Sequence, residues 1–462
     1  MINYDFLTIQ NPWWFKKEGI EADAKIREFE ASSVKYLPQN ILNLPLENGA
    51  VNIVYGPRQT GKSTAIKLLI RKLLKRVPPI NILYFNCDCL DSRKDIIDLV
   101  SSFLDGLQSE SGENPPNYLF LDEISSVNDW PYAIKWLADN NFFNNSKIIL
   151  TGSSSISLKK SGEFLPGRRG KGKDVMFLPI NFFDYFNLFY PQLKLTSRPR
   201  SFGDLKQMIR KLSIKKINLR KDYQRFLLTG GFLKILDLTV KKEPYFDAVE
   251  LYKNTLRSEL AKYGKKEMHA RLILAKIIAS LGSETSYANV AEEAELGSKN
   301  TAAEYLRFFS DSFFLIETFF YNIPQKRVIL KKNKKYYPTD TFLFWIFNSF
   351  ISGANEIDGF YQKYLQPSLD SQIAEAFIAG ELYKQGFEFH YFKNKKEIDF
   401  WIPQKELAIE LKYKDKITKQ DMQGLKYGRT KILVSKNVLE KKDGILVIPI
   451  YLFGLIDLAY FV

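Results

Sequence analysis

A glycine-containing octapeptide lies between an apolar run and an amphipathic stretch near the start of the chain. Residues 56–63 read GPRQTGKS and fit the pattern G-x-x-x-x-G-K-[ST], directly after the apolar VNIVY at 51–55. Glycines let backbone amides curl around phosphate, and a helix start adds partial positive charge. We therefore expect ATP to bind here, with Lys62 on the β- and γ-phosphates and the Ser63 hydroxyl on Mg²⁺. The predicted cofactor-binding residues of this loop are Gly56, Pro57, Arg58, Gln59, Thr60, Gly61, Lys62, Ser63 and Thr64.

An acidic pair follows a second apolar run, in the segment YLFLDE at 118–123. If this run is a strand, Asp122 and Glu123 lie at its carboxyl end, where ligands bind in open α/β sheets. We expect Asp122 to hold Mg²⁺ through water and Glu123 to polarise the attacking water, which predicts ATP hydrolysis as well as binding.

Two further segments carry candidate phosphate-sensing groups. In LTGSSS (150–155), Ser153 or Thr151 is placed to sense the γ-phosphate, although Ser and Thr are also common turn residues. In the basic segment GEFLPGRRGKGK (162–173), Arg168 or Arg169 is a candidate arginine finger. The alternative for this second segment is a surface loop or a DNA-contacting loop.

A second set of chemistry-bearing residues lies in EIDFWIPQKELAIELKYK, at 397–414. Glu410 and Lys412 are two apart on one predicted strand and share a face, and a short turn brings Asp399 of the preceding strand near them. We expect Asp399 and Glu410 to bind Mg²⁺ or Mn²⁺, which prefer carboxylate oxygens, and Lys412 to act on the attacking water. Glu375, on the helix before this sheet, is expected to face the metal. The alternative is a pair of charged strand residues that form an ion pair.

The middle of the chain predicts three short helices followed by two strands, which is the order of a winged helix. The third helix offers Lys299, Asn300, Thr301 and Arg307 to a DNA groove, against Glu304 and Asp311. In the predicted wing at 326–335, six of ten residues are basic: Lys326, Arg327, Lys331, Lys332, Lys334 and Lys335. This cluster predicts salt-sensitive DNA binding, and the alternative is a protein-docking module.

The elements that position these residues follow from the apolar runs. Runs at 51–55, 82–86, 118–122 and 147–152 alternate with helix-like stretches, which predicts a parallel sheet with helices on both faces. Residues 200–262 read as basic helices. From residue 370 a strong helix and several strands indicate a separate α/β domain.

Composition limits the remaining classes. Among 462 residues, 67 Lys and Arg against 52 Asp and Glu give a net charge of +15, which favours a polyanionic partner or a well-solvated thermophile surface. Two Cys and two His make a four-ligand zinc site improbable. The sequence shows neither a membrane-spanning run nor a secretory layout, so we expect a cytoplasmic protein.

Five segments occur in the order seen in a widespread AAA+ ATPase family of archaea and bacteria, and the chain resembles that family: GPRQTGKST, LDEISSVNDW, ILTGSSS, LPGRR and FLPINFFDYF. The resemblance implies a P-loop AAA+ core at 1–195, a helical lid at 196–264, a winged helix at 265–338 and a restriction-endonuclease-like α/β domain at 339–462. It supports Arg168 as a finger acting in trans, which requires a homo-oligomer, for example a hexamer. The alternative is that Arg168 acts within one chain. The early NPWW (11–14) and TGGF (229–232) also resemble family segments.

The C-terminal residues resemble the nuclease superfamily of the PD-(D/E)xK type. Glu375, Asp399, Glu410 and Lys412 match its four principal positions, Gln423 matches a frequent auxiliary position, and Ile398 replaces the usual Pro. The sequence thus predicts an ATPase that acts on DNA and is coupled to a metal-dependent nuclease-like module. The alternative is a nucleotide-switched protein-docking ATPase whose nuclease-like domain is inactive.

Overall fold

The structure is a computed structural model that describes residues 4–106, 115–153, 167–193, 195, 197–354, 367–394 and 396–461. Parts of two predicted segments, residues 154–155 of LTGSSS and 162–166 of the basic loop, lie outside the described residues. The chain divides into two compact units, one of Met1–Leu178 with Asp311–Phe313 and one of Pro179–Ser310 with Phe314–Val462. The finer division into four domains stays a prediction.

The first unit contains a five-stranded parallel sheet in the order β2-β3-β4-β1-β5. The apolar runs predict β1 to β4, whereas β5 was not predicted. Its strands are β1 Val51–Tyr55, β2 Ile82–Asn86, β3 Asn117–Asp122, β4 Ser146–Gly152 and β5 Asp174–Met176. Its described helices are α1 Tyr4–Gln10, α2 Ala24–Ala31, α3 Gln39–Leu42, α4 Lys62–Leu73, α5 Arg93–Asp105 and α6 Trp130–Asp139.

Both faces of this sheet are buried, which is why its strands are continuous apolar runs. Ile53 and Leu121 pack into one core with residues of α5 and α6, whereas Val54 and Phe120 pack into the other with residues of α4. Because β1, β3 and β4 run parallel, their carboxyl ends lie at the same end of the sheet, between the two cores.

The NPWW segment protects the edge strand β2. The Asn11 side chain donates to the Tyr84 carbonyl at 2.9 Å and accepts from the Tyr84 amide at 2.7 Å. The indole nitrogens of Trp13 and Trp14 both donate to the Ile82 carbonyl. These side chains satisfy backbone groups that an open sheet edge would leave unpaired, which gives NPWW a physical role that the sequence alone did not reveal.

The second unit contains a six-stranded mixed sheet in the order β10-β11-β12-β13-β15-β14, in which β12, β13 and β15 run parallel. The strands of the whole unit are β6 Leu315–Phe319, β7 Tyr321–Asn322, β8 Arg327–Val328, β9 Lys334–Pro338, β10 His390–Lys393, β11 Glu397–Ile402, β12 Leu407–Lys412, β13 Thr430–Ser435, β14 Glu440–Lys442 and β15 Ile445–Pro449. Strands β6 and β9 form one antiparallel pair and β7 and β8 another.

The described helices of the second unit are α7 Phe182–Phe189, α8 Phe202–Ile214, α9 Leu219–Thr229, α10 Leu233–Lys241, α11 Phe246–Lys262, α12 Glu267–Ala279, α13 Tyr287–Glu293, α14 Lys299–Asp311, α15 Thr341–Ser352, α16 Pro367–Lys384, α17 Lys419–Met422 and α18 Ile450–Phe453. Helices α12 to α14 and strands β6 to β9 occur where the winged helix was predicted, but that assignment stays a prediction. None of the described helices combines the length and hydropathy that a membrane-spanning helix requires.

The TGGF segment is shaped by a buried carboxylate. Asp340 accepts hydrogen bonds from the Gly231 amide at 3.0 Å and from the Lys384 ammonium at 2.5 Å. At Gly230, whose φ is +56°, an added Cβ would lie 1.7 Å from Asp340 Oδ1. Only glycine fits there, and the segment joins the end of α9 to the start of α15 through the Gly231 amide and the Asp340 side chain.

Candidate functional sites

The predicted phosphate loop joins strand β1 to helix α4. Gly61 has φ of +94°, and a Cβ on Gly56 would lie 2.0 Å from the Phe177 carbonyl oxygen, so both positions require glycine. Helix α4 begins at Lys62 and runs for 12 residues, with Ser63 and Thr64 in its first turn. Its first amides have no partners within the helix, which favours an anion at this end. The predicted strand-to-helix context of the motif is therefore confirmed.

Lys62 is only 4% exposed and its ammonium lies inside the loop. It donates to the carbonyls of Gly56 at 3.0 Å and Pro57 at 2.9 Å, and the Thr60 hydroxyl donates to the Pro57 carbonyl as well. Arg58 is half-buried and Gln59 is exposed on the same loop. The loop thus concentrates a cation and backbone donors where ATP phosphates were predicted to bind.

The acidic pair lies at the carboxyl end of β3. Asp122 is buried, and its two oxygens accept hydrogen bonds from Tyr84 at 2.8 Å and from Thr151. The Thr151 hydroxyl also accepts from the Glu123 amide at 3.0 Å. Glu123 has φ of +51°, which turns the chain sharply and leaves its side chain half-buried. Strands β2 and β4 therefore each supply one hydroxyl that orients the Asp122 carboxylate.

These contacts separate the two candidates for a γ-phosphate sensor. The Thr151 hydroxyl is occupied by Asp122 and Glu123, so its role is to hold the acidic pair. The Ser153 hydroxyl is buried and has no hydrogen-bond partner within the described part of the chain. Ser153 is therefore the better candidate.

Three residues near this site were missed by the sequence reasoning: Asp23, Lys67 and Tyr84. The Lys67 ammonium lies 3.0 Å from Asp23 Oδ2 and 3.4 Å from the centre of the Tyr84 ring. Burial and, to a lesser degree, the nearby Asp122 carboxylate raise the pKa of Tyr84, so its hydroxyl keeps the proton that it donates. A signal was present, because Lys67 is a cation on the buried side of α4, three residues before the buried Ile70.

The two arginine-finger candidates are paired within the first unit. Arg168 forms an ion pair with Asp139 at the end of α6. Arg169 binds Asp174 at 2.6 Å and lies within 3.4 Å of the Val51 carbonyl. The geometry gives Arg169 a structural role, whereas Arg168 as a finger in trans stays a prediction.

The C-terminal hairpin forms as predicted. Strands β11 and β12 are antiparallel, and Phe400 pairs with Ile409, one step from Asp399 and Glu410. The Leu411 amide donates to Asp399 Oδ2 at 2.8 Å. Lys412 lies 2.6 Å from Glu410, which is the ion pair that the alternative interpretation predicted.

A lysine outside the predicted set lies among the C-terminal carboxylates. The Lys335 ammonium is 3.2 Å from Glu375, 2.8 Å from Glu397 and 3.7 Å from Asp399. Burial raises the pKa of Glu375 to about 7, with Lys335 opposing the shift. Burial alone would lower the pKa of Lys335, but its anionic neighbours raise it well above the usual value. Among the described residues, no three His, Cys, Asp or Glu side chains form a group that could hold a metal ion.

The geometry therefore does not support the predicted metal site at Asp399 and Glu410, since a protein ammonium already lies within the carboxylate cluster that contains Asp399. It also corrects the predicted basic wing. Lys334 and Lys335 are buried, and the exposed cations of 326–335 are Lys326, Arg327, Lys331 and Lys332. The two lysines at the end of this basic run are buried because they belong to β9, all of whose residues are buried in the second unit.

Sequence comparison matches residues 48–186 to the family described as AAA domain and residues 220–349 to a domain of unknown function (DUF8612). The chain is 27% identical over 392 residues to the uncharacterized protein MJ1544 of Methanocaldococcus jannaschii, covering 80% of this chain and 76% of that protein.

Two solved structures resemble the fold weakly. The Walker-type ATPase of Pyrococcus abyssi has a TM-score of 0.39 at 13% identity, covering 72% of this chain and 97% of that chain. The ORC2 protein of Aeropyrum pernix has a TM-score of 0.38 at 12% identity, covering 73% of this chain and 94% of that chain. The family match supports the predicted AAA domain and gives no support to the predicted nuclease-like domain. Residues 48–186 thus carry an AAA domain.

Proposed function

We propose that the chain binds and hydrolyses ATP, and that nucleotide turnover switches its interaction with a macromolecular partner. The observation that carries this proposal is the arrangement at one sheet edge. A buried lysine, Lys62, lies inside a glycine-dependent loop, and Asp122 is clamped on the neighbouring strand by hydroxyls of Tyr84 and Thr151. The AAA domain match covers all of these residues.

Each residue of the site has a distinct role in this proposal. Lys62 leaves the loop carbonyls to neutralise the β- and γ-phosphate oxygens, and the loop amides bind the same oxygens. Ser63 and Asp122 would hold Mg²⁺, which when bound offsets phosphate charge. Glu123 orients the attacking water and accepts its proton. Ser153 contacts the γ-phosphate.

A substitution at Glu123 tests the hydrolytic role. Glu123→Gln keeps the size of the side chain but removes its basicity, so ATP binding should persist while turnover falls about 100-fold or more. Calorimetric titration measures binding, and phosphate release measures turnover. Glu47→Gln, an exposed change in the same unit, should leave both unchanged. Unaltered turnover in Glu123→Gln would exclude the proposed base.

A finger in trans is a further part of this proposal. Arg168 would leave Asp139 to stabilise charge on the transferred phosphoryl group of a neighbouring subunit, so activity would require a homo-oligomer. Turnover per chain should then rise with protein concentration. A rate per chain that stays constant across dilution would argue against it.

DNA is the candidate for this partner, favoured by four exposed cations on and beside the β7–β8 turn: Lys326, Arg327, Lys331 and Lys332. If they contact phosphates, replacing Lys331 and Lys332 by Ala should lower the slope of log affinity against log salt by about one per lost contact. Lys441 and Lys442, two exposed lysines of β14, provide the matched control pair. Absence of DNA binding even at low salt would favour a protein partner.

Phosphodiester cleavage is not part of the proposed function, because Lys335 lies in the carboxylate cluster.

A further inference from the structure

The carboxylate cluster of the second unit consists of Glu375, Glu397 and Asp399, and Lys335 lies at its centre. The ammonium is within 3.2 Å of two of these side chains and 3.7 Å from the third, and the lysine is 1% exposed. The three acids come from helix α16 and strand β11, whereas the lysine comes from β9. One side chain therefore ties three elements together.

We propose that Lys335 is a built-in cation that permanently takes the place of a divalent metal in this cluster, so that the C-terminal sheet of this chain does not bind metal. Converging carboxylates repel one another unless a cation lies between them. Here the chain supplies that cation itself, and the surrounding carboxylates offset the loss of water from the buried ammonium.

The surroundings of Lys335 fix it in place. Its backbone pairs with Thr318 in the β6–β9 ladder, and Tyr337, two residues further along the same strand, donates to Glu375 Oε1 at 2.6 Å. Glu375 is also enclosed, since a Cβ on Gly282 would lie 2.6 Å from its Oε2. A hydrated Mg²⁺ needs near-octahedral oxygen ligation and usually keeps several waters. In this cluster the Lys335 ammonium and the Tyr337 hydroxyl already bind the carboxylate oxygens that such an ion would need as ligands.

The remaining two residues of the predicted site, Glu410 and Lys412, form a second ion pair beside the cluster. Glu410 Oε1 binds Lys412 at 2.6 Å, while Oε2 packs where a Cβ on Gly424 would lie 2.3 Å away. Lys412 therefore neutralises the glutamate of its own strand. Among the described residues, each acidic side chain of the predicted site therefore already lies within 4 Å of a lysine ammonium: Glu375 and Asp399 of Lys335, and Glu410 of Lys412.

Manganese uptake without nucleotide tests the proposal on the full chain. Electron paramagnetic resonance measures free Mn²⁺ as it is titrated with wild-type protein, Lys335→Ala and the control Lys334→Ala. Lys334 is a buried lysine of the same strand whose ammonium is held by the carbonyls of Leu330 and Lys332. We expect Lys335→Ala alone to gain one bound Mn²⁺ per chain, and Lys335→Ala combined with Asp399→Asn to lose it again.

Two results would overturn the proposal. One is a folded Lys335→Ala chain that takes up no more Mn²⁺ than the wild type. The other is wild-type uptake that Asp399→Asn abolishes, which decides the question even if Lys335→Ala does not fold. Equal uptake by wild type and Asp399→Asn supports the proposal.

Discussion

The Tyr84 hydroxyl donates a 2.8 Å hydrogen bond to Asp122 Oδ2, across two neighbouring strands of the parallel sheet. The ring of the same tyrosine packs against the Lys67 ammonium, which also forms an ion pair with Asp23. The edge strand thus connects the N-terminal segment to the acidic residue that we assign to Mg²⁺.

Tyr84→Phe should lower ATP turnover about tenfold while leaving ATP affinity near that of the wild type, because the variant keeps the ring but loses the group that orients Asp122. Steady-state phosphate release measures the effect. Tyr118→Phe is the matched control, since that hydroxyl accepts from Lys147 at 3.0 Å near the amino end of the next strand. Equal turnover in wild type and Tyr84→Phe would show that Thr151 alone orients the carboxylate.

Asn11→Ala should destabilise the first unit by about 2–4 kcal/mol, because it leaves the buried amide and carbonyl of Tyr84 without partners. Urea denaturation followed by tryptophan fluorescence reports this loss, since Trp13 and Trp14 are adjacent. Asn48→Ala removes an exposed amide from the same unit and should change stability by less than about 0.5 kcal/mol. Indistinguishable midpoints for the two variants would contradict the role given to NPWW.

Strands β1 to β4 of the first sheet were predictable because they are buried on both faces and therefore read as unbroken apolar runs, whereas β5 is three residues long and partly exposed. Which strand forms the edge was not predictable, so the partners of Asn11 stayed unknown.

The lysines of KRVILKKNKK illustrate a different limit. A run of charge indicates a solvated face, but Lys335 is buried by carboxylates that follow it by 40 residues or more. These contacts between Lys335 and the distant carboxylates can be found only in the folded structure.

Gly230→Ala should destabilise the second unit by about 3 kcal/mol or more, since the new Cβ would meet Asp340 and the backbone lies at φ +56° and ψ −154°, a region that only glycine adopts readily. Thermal unfolding measures the loss. Gly264→Ala is the control for a positive φ without a collision, because its φ is +62° and an added Cβ would lie in open space. That control should cost about 1 kcal/mol. Equal losses in both variants would contradict both the collision with Asp340 and the additional backbone strain assigned to Gly230.

Glu381 should make the second unit less stable as the pH rises. Burial raises the pKa of Glu381 to about 7, Lys384 and Arg198 oppose this shift and Asp184 adds to it. The native state therefore binds a proton more tightly than the unfolded chain, whose glutamate titrates near 4.3. The contribution of this proton is present at low pH and is lost as the pH rises through about 7.

Glu381→Gln removes that titration but keeps an acceptor for the Phe182 amide, which binds Glu381 Oε1 at 2.9 Å. The free energy of unfolding of the variant relative to the wild type should increase by on the order of 3 kcal/mol at most between about pH 5 and about pH 8. Denaturant titrations at several pH values give this difference, and Glu243→Gln, an exposed change in the same unit, should track the wild type. If the Glu381→Gln and wild-type curves stay parallel, the glutamate is ionised in the native state throughout, and Arg198 and Lys384 compensate its burial fully.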